Sequence, residues 1–205
     1  MKQEKQKREG REQMQRRILD AAKSLFVEEG FGNVSMRRLA SAIEYSPAAI
    51  YRYFGSKREI LSTLRNEGFQ HFLNGQKERM SAYPDPLERL REGARWYIRF
   101  AMNEPDYYHL MFCTDTREVD LEGELAAISL TSFDLYRSTI HECVETGRFG
   151  DITSRTVAFA LWSSMHGLAE LLHSGRFEIM YEDQNIDRIV EEIIEFNLRP
   201  TAQQK

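Results

Sequence analysis

Residues 35–61 read SMRRLASAIEYSPAAIYRYFGSKREIL, and their reading decides the fold. Ser35 and Ser46 each stand where a hydroxyl can accept from the unpaired N–H groups of a helix start, at Met36 and at Pro47. Proline at the second start is well placed, because the first helical position has no N–H obligation to meet. Met36, Leu39, Ala40 and Ile43 share one face of the first helix, and Ile50 and Phe54, four apart, point inward together from the second. Two short capped helices with a tight turn between them predict a helix-turn-helix, whose second helix enters the major groove of DNA. A corner of an ordinary helical bundle has the same outline, so the outward residues of the second helix carry the distinction. With Ile50 and Phe54 inside, Pro47, Ala48, Tyr51, Arg52 and Tyr53 remain on or near the outer arc. Exposed tyrosines serve solubility poorly, but with an arginine they suit phosphate and base-edge contact. Pro47 and Ala48 are small, which lets the helix N-terminus approach a duplex closely.

Upstream, residues 11–29 carry Met14, Ile18, Ala21, Ala22, Leu25 and Phe26 at helical spacing, and Gly30 stops that helix with Phe31 packing back on it. Residues 1–10 are charged and uncapped and are expected to form a flexible basic arm. Downstream, Ser56 and Glu59 form a capping box. Lys57 and Arg58 sit in that first turn against the helix dipole, which points to another task such as meeting a phosphate. A long helix then runs over 57–80. Asp85 caps the next at Pro86, and Leu87, Leu90, Ala94, Tyr97, Ile98 and Ala101 give its apolar face. A break follows at 103–105, then an aromatic segment at 106–113 and a polar loop at 114–121. Helical patterns resume at 122–147, 152–174 and 184–198. No stretch alternates as a strand does. The expected class is all-α, with about nine helices and no internal repeat.

The net charge of −4 is unevenly spread over the 205 residues. Residues 1–60 carry 13 Lys and Arg against 8 Asp and Glu, a balance of +5, and the remainder carries 15 against 24, a balance of −9. A basic head on an acidic body fits nucleic-acid contact confined to one end. No apolar run approaches membrane-spanning length, and the polar N-terminus is not a signal peptide. Cys113 and Cys143 show no framework spacing and read as buried apolar fillers in a reducing cytoplasm.

Tyr51-Arg52-Tyr53-Phe54-Gly55-Ser56-Lys57-Arg58-Glu59-Ile60-Leu61, with the upstream Ala21-Ala22, Phe26, Gly30 and Phe31, resembles the DNA-binding domain of TetR-family transcriptional regulators. That signature is Tyr-x-(His/Tyr)-Phe-x-(Ser/Asn)-Lys-x-x-Leu. The resemblance implies that Ser35, Arg37, Tyr51, Tyr53 and Lys57 contact backbone phosphate, while Pro47, Ala48 and Arg52 lie nearest the bases. Arg52 is the first candidate to read sequence, since arginine can bond both acceptors of guanine at once. One departure stands out. The family usually has Ala-Gly-Val-Ser in the turn, and this chain has Ile43-Glu44-Tyr45-Ser46. Either Glu44 adopts the left-handed conformation natural to glycine, at a cost of about 1 kcal/mol, or the turn relaxes and shifts the recognition helix.

In the body, Trp96, Phe100, Tyr107, Tyr108, Met111, Phe112, Trp162 and His166 stand among further aromatics. Such a stripe is first of all a helical core, but tyrosine, tryptophan and histidine bring polar tips that want partners when buried. Several converging can line a pocket for an apolar or aromatic small molecule. Residues 96–112 and 161–168, the latter LWSSMHGL, resemble the TetR subgroup whose C-terminal domain carries a Trp-x-x-x-His-Gly motif, which implies a ligand pocket. His166 reads as a hydrogen-bonded core residue first and a ligand contact second. No nucleophile pairs recognisably with it. The five histidines show no metal-ligand spacing, and no glycine-rich phosphate loop is present. No catalytic residue, metal or cofactor is expected, and nothing argues for an enzyme.

The last helices carry two stripes. Phe159, Trp162, Ser163, His166, Gly167, Glu170 and Leu171 form one, and Ile186, Ile189, Val190, Ile193, Ile194 and Phe196 the other. The resemblance implies a homodimer built on these helices, and a two-fold dimer would read a pseudo-palindrome. Packing both stripes within the chain would instead leave a monomer. The expected organisation is therefore a DNA-binding domain over 1–56 and a helical ligand-binding and dimerisation domain over 57–205. Its function is that of a cytoplasmic, ligand-responsive homodimeric repressor of a double-stranded operator, with no membrane partner. The alternative is a small-molecule-binding helical protein with no operator of its own.

Overall fold

The computed structural model describes residues 2–115, 124–180 and 185–200, and every described element is helical. The chain divides into two compact units, residues 1–68 with 106–126 and residues 69–105 with 127–205. Helices of the first unit are α1 (Lys2–Glu29), α2 (Met36–Ala42), α3 (Pro47–Tyr51), the first half of α4 (Lys57–Met80) and most of α6 (Pro105–Tyr108), which runs on into a π-helical turn, His109–Cys113. The second unit holds the rest of α4 and α5 (Pro86–Asn103), α7 (Glu124–Glu145), α8 (Ser154–His173), α9 (Arg176–Met180) and α10 (Ile186–Asn197).

The first unit is organised by the residues whose periodicity marks them. Ile18, Leu19, Ala22, Leu25 and Phe26 of α1 close on Met36, Leu39, Ala40 and Ile43, on Ile50 and Phe54, and on Ile60, Leu61 and Leu64 of α4. Leu110 of the π turn enters the same cluster. Burying such a side chain is worth about 1.5–3 kcal/mol, enough to hold a five-residue helix that would not persist alone.

The N-terminal arm expected over 1–10 is different in the structure, where α1 begins at Lys2. Lys, Gln, Glu and Arg lose little rotamer freedom in a helix. Arg8 and Glu12, four positions apart and 2.8 Å from each other, add a small favourable pair. The polar loop expected over 114–121 lies mostly outside the described residues.

Gly30, at φ 79°, ends α1 as its position implies. The same job is done at the end of α2 by Glu44, at φ 60° the one described non-glycine residue in the left-handed region. The Glu44 N–H donates to the carbonyl of Ser41 at 3.3 Å and the Tyr45 N–H to that of Ala40 at 2.9 Å, the paired bonds of a Schellman cap. Of the two alternatives for this turn, the strained one is adopted. Glu44→Gly is therefore expected to raise stability by about 0.5–1 kcal/mol, the relief of left-handed strain less the backbone entropy of glycine. A urea titration of both chains measures it.

In the second unit α5 packs on α8 and α10. Arg91 and Arg95 of α5 each grip one carboxylate of α10 with two nitrogens, Glu195 and Glu191 respectively. The bond from Arg91 holds the Glu195 carboxyl below the usual carboxylate range.

Candidate nucleic-acid interface

The two serines take the places their spacing predicts. The Ser35 hydroxyl accepts from the Arg38 N–H at 3.1 Å, and the Ser46 hydroxyl from the Ala49 N–H at 3.2 Å. Each hydroxyl keeps its own proton to donate, so capping and phosphate contact do not compete. At the start of α4, Ser56 accepts from the Glu59 N–H at 3.1 Å, and the Glu59 carboxylate reaches back to the Gly55 N–H at 2.6 Å.

α3 buries Ile50 and leaves Ala48, Tyr51 and Arg52 exposed, with Tyr51 54% accessible. Pro47 is half-buried at the helix start. Arg37 projects from α2, also exposed. Among the described residues no hydrogen bond or ion pair engages the side chains of Arg37 or Arg52. Three other arginines of this region are committed within the fold. Arg38 bonds Glu29 at 2.6 Å, Arg16 bonds Glu67 at 2.8 Å, and Arg17 donates to the Ile43 carbonyl at 3.0 Å. Two cationic side chains held outward beside an open helix start can meet phosphates and base edges without giving up an internal partner.

Tyr53 and Lys57 sit differently from the outward arc. Tyr53 is half-buried, packed partly against the core of the first unit, with the Arg11 guanidinium 6.0 Å from its ring centroid. The Lys57 ammonium turns inward and donates to the carbonyls of Phe31 at 2.5 Å and Val34 at 2.7 Å, 4.1 Å from the Phe31 ring centroid. These carbonyls belong to the bend between α1 and α2. They explain why a lysine stands where the dipole disfavours it. Lys57→Met is expected to cost about 2 kcal/mol of stability, the worth of hydrogen bonds to a charged group. An unchanged urea midpoint would mean that the lysine serves phosphate alone.

Sequence reasoning missed Arg17 and Tyr45. Tyr45 is 43% exposed in the turn, and the Arg17 guanidinium lies 5.3 Å from its ring centroid. Arg17 and Tyr45 are too distant in sequence for any local pattern to link them, so this contact becomes visible only in three dimensions.

The aromatic residues expected to line a pocket fall into two groups. In the first unit Tyr108 and Met111 are buried and Phe112 is half-buried, with the Tyr108 and Phe112 rings 5.4 Å apart. Tyr107 donates its hydroxyl to Glu67 at 3.0 Å, and burial, with the nearby carboxylate, pushes that hydroxyl up to about 12. In the second unit Trp96 and Phe100 are buried 5.8 Å apart, and the Trp96 indole donates to the Phe72 carbonyl at 2.9 Å. Trp162 and His166 are half-buried, with ring centroids 6.2 Å apart. His166 Nδ1 lies 3.0 Å from the Tyr97 hydroxyl, the hydrogen-bonded setting its sequence position implies.

Residues 18–64 match the family model described as bacterial regulatory proteins, tetR family, and residues 90–196 match that of the tetracyclin repressor-like C-terminal domain. The HTH-type transcriptional regulator AcrR of Shigella flexneri is 26% identical over 175 residues, covering 81% of this chain and 80% of that protein. Among solved structures, the TetR-family regulator PfmR of Thermus thermophilus superposes with a TM-score of 0.70 at 22% identity, covering 91% of this chain and 99% of that one. AibR, in complex with isovaleryl coenzyme A and operator DNA, gives 0.72 at 19% identity, covering 91% and 99%. These relatives are regulators of transcription and not enzymes. Among the described residues no helix is long and apolar enough to cross a membrane.

Proposed function

We infer that this chain, which belongs to the tetR family of bacterial regulatory proteins, is a ligand-responsive repressor acting on operator DNA. The observation that carries the reading is the outer arc of α3, with exposed Ala48, Tyr51 and Arg52 behind a serine-capped, proline-led start. Residues 1–56 form the DNA-binding domain and residues 57–205 the ligand-binding and dimerisation domain. Ser35, Arg37 and Tyr51 meet phosphate, with Tyr53 at the edge of that surface. Pro47 and Ala48 lie closest to the bases, and Arg52 reads them. Lys57 supports this surface from beneath through its two carbonyls, with phosphate as its second task.

The active species is a cytoplasmic homodimer on a palindrome. Support comes from α8 and α10, which bury one stripe each yet leave Phe159, Leu171, Ile186 and Phe196 exposed, Phe196 at 66%. Apolar side chains left open on the two helices fit a second copy better than solvent. Trp162, His166 and Gly167 ally the C-terminal domain with the Trp-x-x-x-His-Gly subgroup, and the effector is a small apolar or aromatic molecule contacting the half-buried Trp162 and His166. AibR holds isovaleryl coenzyme A, a larger and charged molecule whose isovaleryl group alone is of this small apolar kind. Because a ligand of equal affinity for both conformers shifts nothing, this effector binds the conformer that releases DNA more tightly. α4, whose two halves fall in different units, is the route of coupling.

A nuclease footprint on the DNA upstream of the chain's own gene tests the function. A protected stretch with two-fold symmetry is expected, and a featureless lane at micromolar protein would overturn it in favour of a helical ligand-binding protein with no operator of its own.

A further inference from the structure

We propose that Arg17 is a positioning residue for the recognition helix: it clamps the strained turn that Glu44 occupies in place of glycine and so fixes the entry of α3. The proposal rests on α3 being the helix that reads DNA. One side chain brackets Glu44. On one side the Arg17 guanidinium donates to the carbonyl of Ile43, at 3.0 Å. On the other it lies over the ring of Tyr45, at 5.3 Å. Between those two contacts the backbone passes through φ 60°.

That conformation suits glycine, and a residue with a Cβ is driven back toward negative φ. Returning there would break the paired bonds to Ser41 and Ala40 and turn Tyr45. Tyr45 immediately precedes Ser46, the cap of α3, so rotation at Glu44 re-aims the whole recognition helix. Arg17 is able to resist this because its own backbone is fixed. The adjacent Ile18 and Leu19 are 1% and 5% exposed in the core. A planar guanidinium can offer an edge to the carbonyl and a face to the ring at once, which an ammonium cannot. A turn with glycine needs no such clamp.

The test is a double-mutant cycle on Arg17→Lys and Glu44→Gly, with two probes. One is a duplex carrying the sequence that the wild-type chain protects, and the other is a random-sequence duplex of equal length. Lysine keeps the charge, so binding to random sequence and the salt dependence of binding stay within about twofold of wild type. Affinity for the protected sequence falls about tenfold in the Glu44 background and less than about threefold when residue 44 is glycine. Tyr45→Ala, which removes the ring and leaves the guanidinium, gives the same pattern. Equal losses in the two backgrounds, or equal losses on the two probes, overturn the positioning role while leaving the DNA-binding reading intact. A wild-type chain that does not distinguish the two probes overturns that reading and the positioning role together.

Discussion

Arg52→Ala is expected to weaken operator binding by about 1–3 kcal/mol for each half-site, so a dimer with two reading arginines loses about 2–6 kcal/mol. The reason is the combination of place and availability. Arg52 caps the C-terminal end of α3 at φ −72° and ψ −15°, exposed, with its side chain engaged by no hydrogen bond or ion pair among the described residues. A guanidinium in that state has no internal bond to give up on reaching a guanine, and its fork matches the two acceptors on the major-groove edge. Arg52→Lys, which keeps charge and loses the fork, should fall between wild type and alanine on the operator and equal wild type on random sequence. Arg37→Ala is the contrast. A phosphate contact carries no sequence information, so its loss should weaken both probes alike and reduce the salt slope by about one. Fluorescence anisotropy titrations at several salt concentrations separate the two. If Arg52→Ala proves uniform across sequences, the arginine holds the backbone and the bases are read elsewhere on α3.

What makes this fold legible is punctuation. The boundaries of α4 and α5 follow from Ser56, Asp85 and Pro86, because caps and proline act through the local backbone and leave a local trace. The head core follows in the same way from spacing alone, down to Ile50 and Phe54. The misses are tertiary. The direction of Lys57 is set by carbonyls 23 and 26 residues upstream, at the end of a long flexible stem. The dipole argument finds that the lysine has a task, but a rule about helix ends cannot say which partner lies within reach. Trp96 and Phe100 have the residue types of pocket lining, yet a buried indole bonded to a backbone carbonyl has the setting of a core residue. Tyr51 and Arg52 read outward because nothing apolar on α3 can pair with them, and they are exposed. Periodicity assigns a face. It does not say whether the neighbour on that face is protein, ligand or DNA.

Glycines inside α4 show the same limit and carry the second large effect. Each costs about 1 kcal/mol of helix propensity against alanine, so from sequence alone both Gly68 and Gly75 look like defects that alanine would repair. Packing reverses this at Gly75, where Gly75→Ala is expected to destabilise the protein by about 2–3 kcal/mol despite the propensity gain. An added Cβ would lie 2.3 Å from Cζ2 of Trp96 and 2.6 Å from Cε2, inside any tolerable contact. The indole has little room to retreat. Its N–H is bonded to the Phe72 carbonyl at 2.9 Å, the Arg79 guanidinium covers it at 4.1 Å, and Phe72 lies roughly parallel to it at 6.2 Å. Gly68→Ala should be milder, because the nearest atom there, at 2.6 Å, is the sulfur of a flexible methionine, Met111. The cycle that isolates the clash pairs Gly75→Ala with Trp96→Leu. Trp96→Leu alone loses the buried indole, but once the ring is gone the new methyl group fills space instead of colliding, so Gly75→Ala should become neutral or stabilising in that background. Urea midpoints for the four chains decide it. If Gly75→Ala costs the same with and without the indole, the glycine is required for the α4 backbone itself and not as a seat for Trp96.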